Sequence, residues 1–233
     1  MTFSTRKIFN ASIAFGLLAS VVSGSIINNC KPGHVAITYD DGPYGYTSAL
    51  VDLLDRNQVK ATFFVNGKNF IDLETNEEGR NALRKAHASG HQIASHTLSH
   101  KDLETISGQE FDDEITELEK IVFDIIQVKP AFIRPPYGSA NDDSVAKLEG
   151  KGYKVVKWST DTKDFDTHDL QQEMANVKNS FNSSNIDDGF ITLSHDVYEQ
   201  TTTELTSALI EYVKSQGFQF STVADCVGEN PYQ

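Results

Sequence analysis

The chain has 233 residues, of which 39% are hydrophobic and 23% charged, proportions that suit one soluble domain with a buried core. Asp and Glu outnumber Lys and Arg by 33 to 20, giving a formal charge of −13 at pH 7. So acidic a chain is excluded as a partner of nucleic acid, because phosphate binding needs clustered Lys and Arg.

In chain order, a targeting segment comes first. Arg6 and Lys7 precede the apolar stretch from Ala11 to Val22, and Ser23-Gly24-Ser25 supplies small residues for cleavage. The apolar run falls short of the ~20 residues that span a bilayer. Residues 1–24 therefore read as a signal peptide, and 25–233 as one secreted, extracellular domain with no membrane anchor, taken to act as a monomer. In an oxidising compartment the two cysteines, Cys30 and Cys226, read as a disulfide. Closing so long a loop is worth roughly 4–5 kcal/mol in chain-entropy models. Asn182-Ser183-Ser184 is an N-glycosylation sequon in a polar stretch.

The mature chain alternates short apolar runs with amphipathic stretches. Strands are predicted at 35–39, 61–65, 91–95, 131–133, 153–158, 189–193 and 218–223. Helices are predicted at 46–57, 77–89, 109–126, 142–149, 168–181 and 203–215, several ending at a glycine. Such alternation implies a parallel sheet with right-handed crossovers. The fold class is α/β, a distorted (β/α) barrel of about seven parallel strands, with an open doubly wound sheet as the alternative. In either fold, active sites lie beyond the carboxyl ends of the strands.

The unusual polar residues fall at those ends. Asp40 and Asp41 follow the first strand, His96 the third, Arg134 the fourth, Asp161 the fifth and His195 the sixth. Each has an ordinary reading alone. Asp40-Asp41-Gly42-Pro43 could be a solvated turn, in which adjacent carboxylates point to opposite faces unless the turn reorients one. His96 and His100 share a face if Thr97 begins a helical turn, and with one carboxylate they form a metal-binding set with open positions. Arg134 sits before two prolines that hold it extended, suited to orienting a carboxylate. Asp161 and His195 could form an acid–imidazole pair. Convergence on one rim is what favours the chemical reading. Trp158 is assigned to the core, and the run Asp112-Asp113-Glu114 to the solvated side of a long helix.

These motifs resemble those of the polysaccharide deacetylase (NodB-homology) family of carbohydrate esterases. The resemblance runs from about Val35 to Val223, through Thr38-Tyr39-Asp40-Asp41-Gly42-Pro43, His96-Thr97-Leu98-Ser99-His100, Arg134-Pro135-Pro136-Tyr137-Gly138, Asp161-Thr162-Lys163-Asp164-Phe165 and Leu193-Ser194-His195-Asp196. Phe63-Phe64-Val65-Asn66-Gly67 and the terminal cysteines look most like secreted fungal chitin deacetylases. The resemblance implies metal-dependent hydrolysis of N-acetyl groups from chitin or its oligomers; alternatives are O-acetyl ester hydrolysis on xylan and sugar binding without catalysis. It implies that Asp41, His96 and His100 hold a metal, zinc or another divalent ion such as Co2+. It implies Asp40 as general base held by Arg134, and His195 as general acid tuned by Asp161. Tyr137 would offer a backbone N–H to an oxyanion, and Leu193 would line the acetyl pocket. Phe165, where the family usually has Trp or Tyr, would stand at the sugar-stacking edge.

Overall fold

The computed structural model describes residues 26–233. The segment read as a signal peptide lies outside the described residues. Among those described, no helix is long and apolar enough to cross a membrane.

Nine short strands carry the sheet: β1 (His34–Ala36), β2 (Thr38–Asp40), β3 (Thr62–Val65), β4 (Gln92–Ser95), β5 (Phe132–Ile133), β6 (Lys154–Val155), β7 (Thr160–Asp161), β8 (Phe190–His195) and β9 (Gln219–Phe220). Every pairing between them is parallel. Eight of them fall on the seven predicted segments, the first of which is split; β7 lies just past the segment predicted at 153–158. The first breaks at Ile37 because its two halves have different neighbours: β1 pairs with β9, β2 pairs with β3, and both pair with β8. The fifth pairs with β5 as β6, and the chain just beyond its predicted end pairs with β8 as β7. That segment closes the circuit β2, β3, β4, β5, β6–β7, β8 and back to β2, so the barrel alternative holds and the open sheet does not.

The helices are α1 (Thr47–Arg56), α2 (Glu77–Ala88), α3 (Gly108–Ile126), α4 (Asp142–Gly150), α5 (Asp164–Thr167), α6 (Leu170–Ser180), α7 (Thr206–Ser215) and α8 (Val223–Val227). Asn76, Asn141 and Asp169 start α2, α4 and α6 by accepting a backbone N–H in the first turn. The helix predicted at 168–181 is α6; the one-turn α5 before it is not predicted, and the two are separated where His168 takes a positive φ of 44°. Three residues of the sequon neighbourhood form a short 3-10 turn, Ser183–Asn185, capped by the Asn182 side chain.

Side chains alternate across each strand, and both faces are apolar, as in a sheet buried on both sides. Val35, Ile37, Phe63, Val65, Ile93 and Phe190 point outward and pack under the helices. Ala36, Phe64, Ala94, Phe132, Val156 and Ile191 point inward and fill the barrel, with Val223 and Ala224 of α8 in the same cluster. Cys30 and Cys226 join this inner cluster and are bonded to each other, 196 residues apart in sequence.

Period two then places the next inward position of each strand. Two residues beyond Phe64, Ala94, Phe132 and Val156 stand Asn66, His96, Arg134 and Trp158. Thr38 and Asp40 follow Ala36 in the same way, and Leu193 and His195 follow Ile191. The apolar plug thus gives way, one layer up, to a ring of polar and aromatic side chains at the carboxyl ends of the strands.

Candidate active site

This ring lines a cleft of about 430 Å³, bounded by Asp40, Asp41, His96, His100, Tyr137, Trp158, Asp161, Phe165, Leu193, His195 and Tyr198 together with Pro135. All ten residues assigned from sequence to catalysis, metal or substrate are at or just beneath it; Arg134, fully buried, lies underneath.

Asp40 ends β2 pointing inward. Asp41 would point away, but its backbone takes a φ of 76°, which turns its carboxylate back toward the same cleft. The reorientation sits in Asp41 itself. Its Oδ1 lies 3.6 Å from His96 Nε2 and 3.3 Å from His100 Nε2. The histidines reach it without a helix. After β4 ends at Ser95, Thr97 and His100 adopt φ of 73° and 61°, a tight non-helical turn that brings the two rings to 4.9 Å between centroids.

Asp41, His96 and His100 each offer one ligand atom, all within 4.8 Å of one another, so these residues can hold a metal ion. Their chemistry fits. His96 Nδ1 lies 2.6 Å from the Arg134 carbonyl, which only accepts, so Nδ1 carries the proton and Nε2 presents its lone pair. Burial pushes the His96 pKa down to about 3, and burial with the neighbouring His96 pushes His100 down to about 4. Both imidazoles are therefore neutral and free to ligate near pH 7. Burial pushes Asp41 up to about 6, with the nearby carboxylates of Asp40 and Asp164 acting in the same sense. The cost of burying the Asp41 charge is one that a cation beside two neutral imidazoles would relieve.

Arg134 donates from Nη1 to Asp40 Oδ1 and to Thr38 Oγ1, each at 2.7 Å, and from Nη2 to the Lys157 carbonyl at 2.9 Å. Its guanidinium lies over the Phe64 ring, 4.1 Å from the centroid. The pair thus rests on the apolar plug. Asp40 Oδ1 is committed to the arginine, while Oδ2 lies 3.7 Å from His96 Nε2. Burial raises the Asp40 pKa against the opposing charge of Arg134.

On the far wall, the structure corrects one expectation. The carboxylate that holds His195 is Asp164, not Asp161. Asp164 Oδ1 meets His195 Nδ1 at 2.8 Å, and its Oδ2 accepts from the His195 backbone N–H at 2.7 Å and from Thr201 Oγ1 at 2.8 Å. Burial alone would lower the His195 pKa, but the Asp164 hydrogen bond and the charges of Asp164, Asp40 and Asp41 overcome it and raise it to about 9. Asp161 lines the cleft and accepts from the Lys163 N–H at 2.9 Å, holding the turn in which Lys163 has a φ of 59°. That turn swings α5 over, delivering Asp164 inward and Phe165 outward. Both aspartates lie in one five-residue motif, and spacing alone does not tell which of them the turn brings round.

Phe165 is 48% exposed at the cleft edge and meets the His195 ring at 5.6 Å between centroids. Tyr137 is 69% exposed, with a φ of 59°. Leu193 is buried at the floor. Trp158, assigned to the core from sequence, packs on the inner apolar cluster and also walls the cleft, because its inward position lies one layer above the plug. Tyr198 carried no sequence signal and comes in on the loop after β8. Glu114 is a further correction. It is 3% exposed, and its carboxylate accepts from the Ser99 backbone N–H at 2.8 Å, so this part of the acidic run faces the histidine turn rather than solvent.

A family model described as polysaccharide deacetylase matches residues 28–156. The chain belongs to the polysaccharide deacetylase family. The chitin deacetylase of Colletotrichum lindemuthianum is 37% identical over 213 residues, covering 90% of this chain and 86% of that one. The chitin deacetylase of a Pestalotiopsis species is 38% identical over 214 residues, 91% of this chain and 70% of that one. The structure of the Colletotrichum lindemuthianum enzyme superposes with a TM-score of 0.85 at 36% identity, covering 90% and 96% of the two chains. The Bc1960 peptidoglycan N-acetylglucosamine deacetylase superposes at 0.79 with 25% identity, covering 91% and 95%. The family match ends just before β7, so in this polysaccharide deacetylase Asp164 and His195 stand beyond the matched residues, on elements that the barrel brings round to face Asp40.

Proposed function

We propose that this protein hydrolyses N-acetyl groups from chitin or chitin oligomers outside the cell, releasing acetate, with zinc held by Asp41, His96 and His100. One observation carries the reading. Two groups each anchored by an oppositely charged partner, Asp40 by the Arg134 guanidinium and His195 by the Asp164 carboxylate, face each other across the Asp41–His96–His100 set. When bound, the metal would polarise the acetamide carbonyl and acidify a water.

The chain's own residues supply the proton transfers. Asp40, with Oδ1 pinned, uses Oδ2 to take the proton of the attacking water, and burial makes it a stronger base than a solvated carboxylate. His195, held through Nδ1, keeps Nε2 for the leaving amine and enters the reaction protonated. The Tyr137 backbone N–H is proposed as the donor to the oxyanion. Leu193 gives an apolar floor suited to one methyl group. Phe165, Trp158 and Tyr137 present ring faces and edges at the mouth, where a pyranose ring stacks.

The disulfide fits an oxidising, extracellular setting. The test is acetate release from chitin oligomers, with and without chelator, beside acetylated xylan. Metal-dependent release from the oligomers is expected. Release unaffected by exhaustive chelation, or release from xylan alone, would overturn the proposal.

A further inference from the structure

Every strand segment of the barrel circuit places a side chain in the ring above the apolar plug, and the reaction described above uses all of them except that of β3. The β3 position is Asn66, 3% exposed and two residues beyond the inward Phe64. We infer that Asn66 is the positioning residue of the metal site, holding the two loops that carry Asp41, His96 and His100 in ligating geometry. The inference rests on the proposed metal-dependent function.

Asn66 touches both loops at once. Its backbone N–H donates to the Gly42 carbonyl, next to Asp41, at 2.9 Å. Its Nδ2 donates to the carbonyls of His96 at 2.5 Å and Thr97 at 2.9 Å. Its Oδ1 accepts from Asn69 Nδ2 at 3.1 Å, and that same Nδ2 lies 3.4 Å from Asp41 Oδ1, the oxygen that faces both histidines. The amide thus spends its NH2 on the histidine turn and its Oδ1 on Asn69, which in turn faces Asp41.

The backbone shows why a staple is needed there. Asp41, Thr97 and His100 all have φ between 61° and 76°, the left-handed region that non-glycine residues avoid and β-branched Thr avoids most. Carbonyls of consecutive residues converge on one donor only if the chain turns sharply between them, and extended backbone would point them apart. Asn66 Nδ2 therefore rewards the strained turn at Thr97 and not the relaxed one. Without that donor, the turn opens and the His96–His100 spacing widens. Gly67 belongs to the same device. A Cβ there would meet the Leu98 side chain at 2.8 Å, and the Gly67 N–H donates to the Leu98 carbonyl at 3.0 Å.

The test is metal affinity, read without turnover. Asn66→Ala removes the donor. Asn66→Asp keeps the shape and puts a carboxylate against two carbonyl oxygens. Zinc affinity is measured by competition with a chromophoric chelator, and site geometry by the visible absorption spectrum of the Co2+-loaded protein. Both variants should bind zinc about 10–100-fold more weakly than the unsubstituted chain, the range for residues that orient ligands, with an altered Co2+ spectrum. Metal-free melting curves separate this from unfolding. Should both variants fail to fold, the rim variant Asn69→Ala decides: it should weaken zinc a few-fold, and unchanged affinity in it overturns the inference. Folded Asn66 variants with unsubstituted affinity and spectrum overturn it equally. A parent chain that binds no zinc would instead overturn the proposed function.

Discussion

At the scale of single residues, the site works by giving Asp40, His96 and His195 each one atom fixed by a partner and one left free. His195 shows the consequence for pH. A general acid must be protonated, so the rate falls as pH rises through its pKa. Asp164 and the other carboxylates raise that pKa to about 9 in the metal-free chain, and a bound cation, adding positive charge, brings it lower. Replacing Asp164 with Asn removes the charge that favours the imidazolium. The alkaline limb of kcat/KM should then move toward lower pH by roughly 1–3 units. Asp161→Asn should move it much less; an equal shift would return Asp161 to the role that the sequence first suggests. The adjacent carboxylates separate in the same spirit. Asp40→Asn should keep its metal and lose about 10²–10⁴ in turnover, the worth of one general base. Asp41→Ala should lose metal affinity itself. Metal analysis of the two purified variants decides, and equal metal loss would cancel the division of roles.

At the scale of elements, each functional group is delivered by a strand end or a strained turn, and neither has a strong local signature. α5 is the plainest case. It is one turn long, starts from Lys163 at a φ of 59° and ends at His168 at 44°. Its two useful residues face opposite ways, Asp164 into the wall and Phe165 out at the cleft edge. Because Phe165 is half exposed, a larger ring there has room. Phe165→Trp should lower KM for chitin oligomers, since the indole adds stacking area, and should leave the melting temperature unchanged. A lower melting temperature with an unchanged KM would mean the ring packs inward and plays no part in binding.

At the scale of the whole molecule, the barrel is closed twice, once by hydrogen bonds and once by a covalent bond. Residues 154–161 close the circuit between β5 and β8. Cys30–Cys226 ties the segment before β1 to α8 beneath the plug, on the side away from the cleft. Losing a native disulfide of this kind typically costs about 2–4 kcal/mol. Paired replacement by Ala should therefore lower the melting temperature by roughly 4–16 °C for a chain of this size. Activity well below melting should be retained, because the bond touches no residue of the ring. A double variant that melts like the parent, or that loses turnover while folded, would contradict this account.

The strands, most of the helices and the polar strand ends were legible in the sequence, because periodicity and β-branched or aromatic runs are local properties. So was the pairing of two cysteines, once the chain was read as exported. The metal set was legible as a motif but not as a geometry: the helical turn imagined for His96 and His100 is a strained loop, and that strain is held by Asn66, thirty residues upstream. The places of Asp164 and Glu114, and the cleft-facing side of Trp158, are not legible in the sequence for one reason. Asp and Glu look alike in a turn or on a helix face whether they meet water or a histidine, and a tryptophan on an apolar period can fill a plug or wall a cleft. Which of these happens depends on the layer of the barrel in which each side chain ends. Closure of the sheet settles that through contacts between residues far apart in the chain.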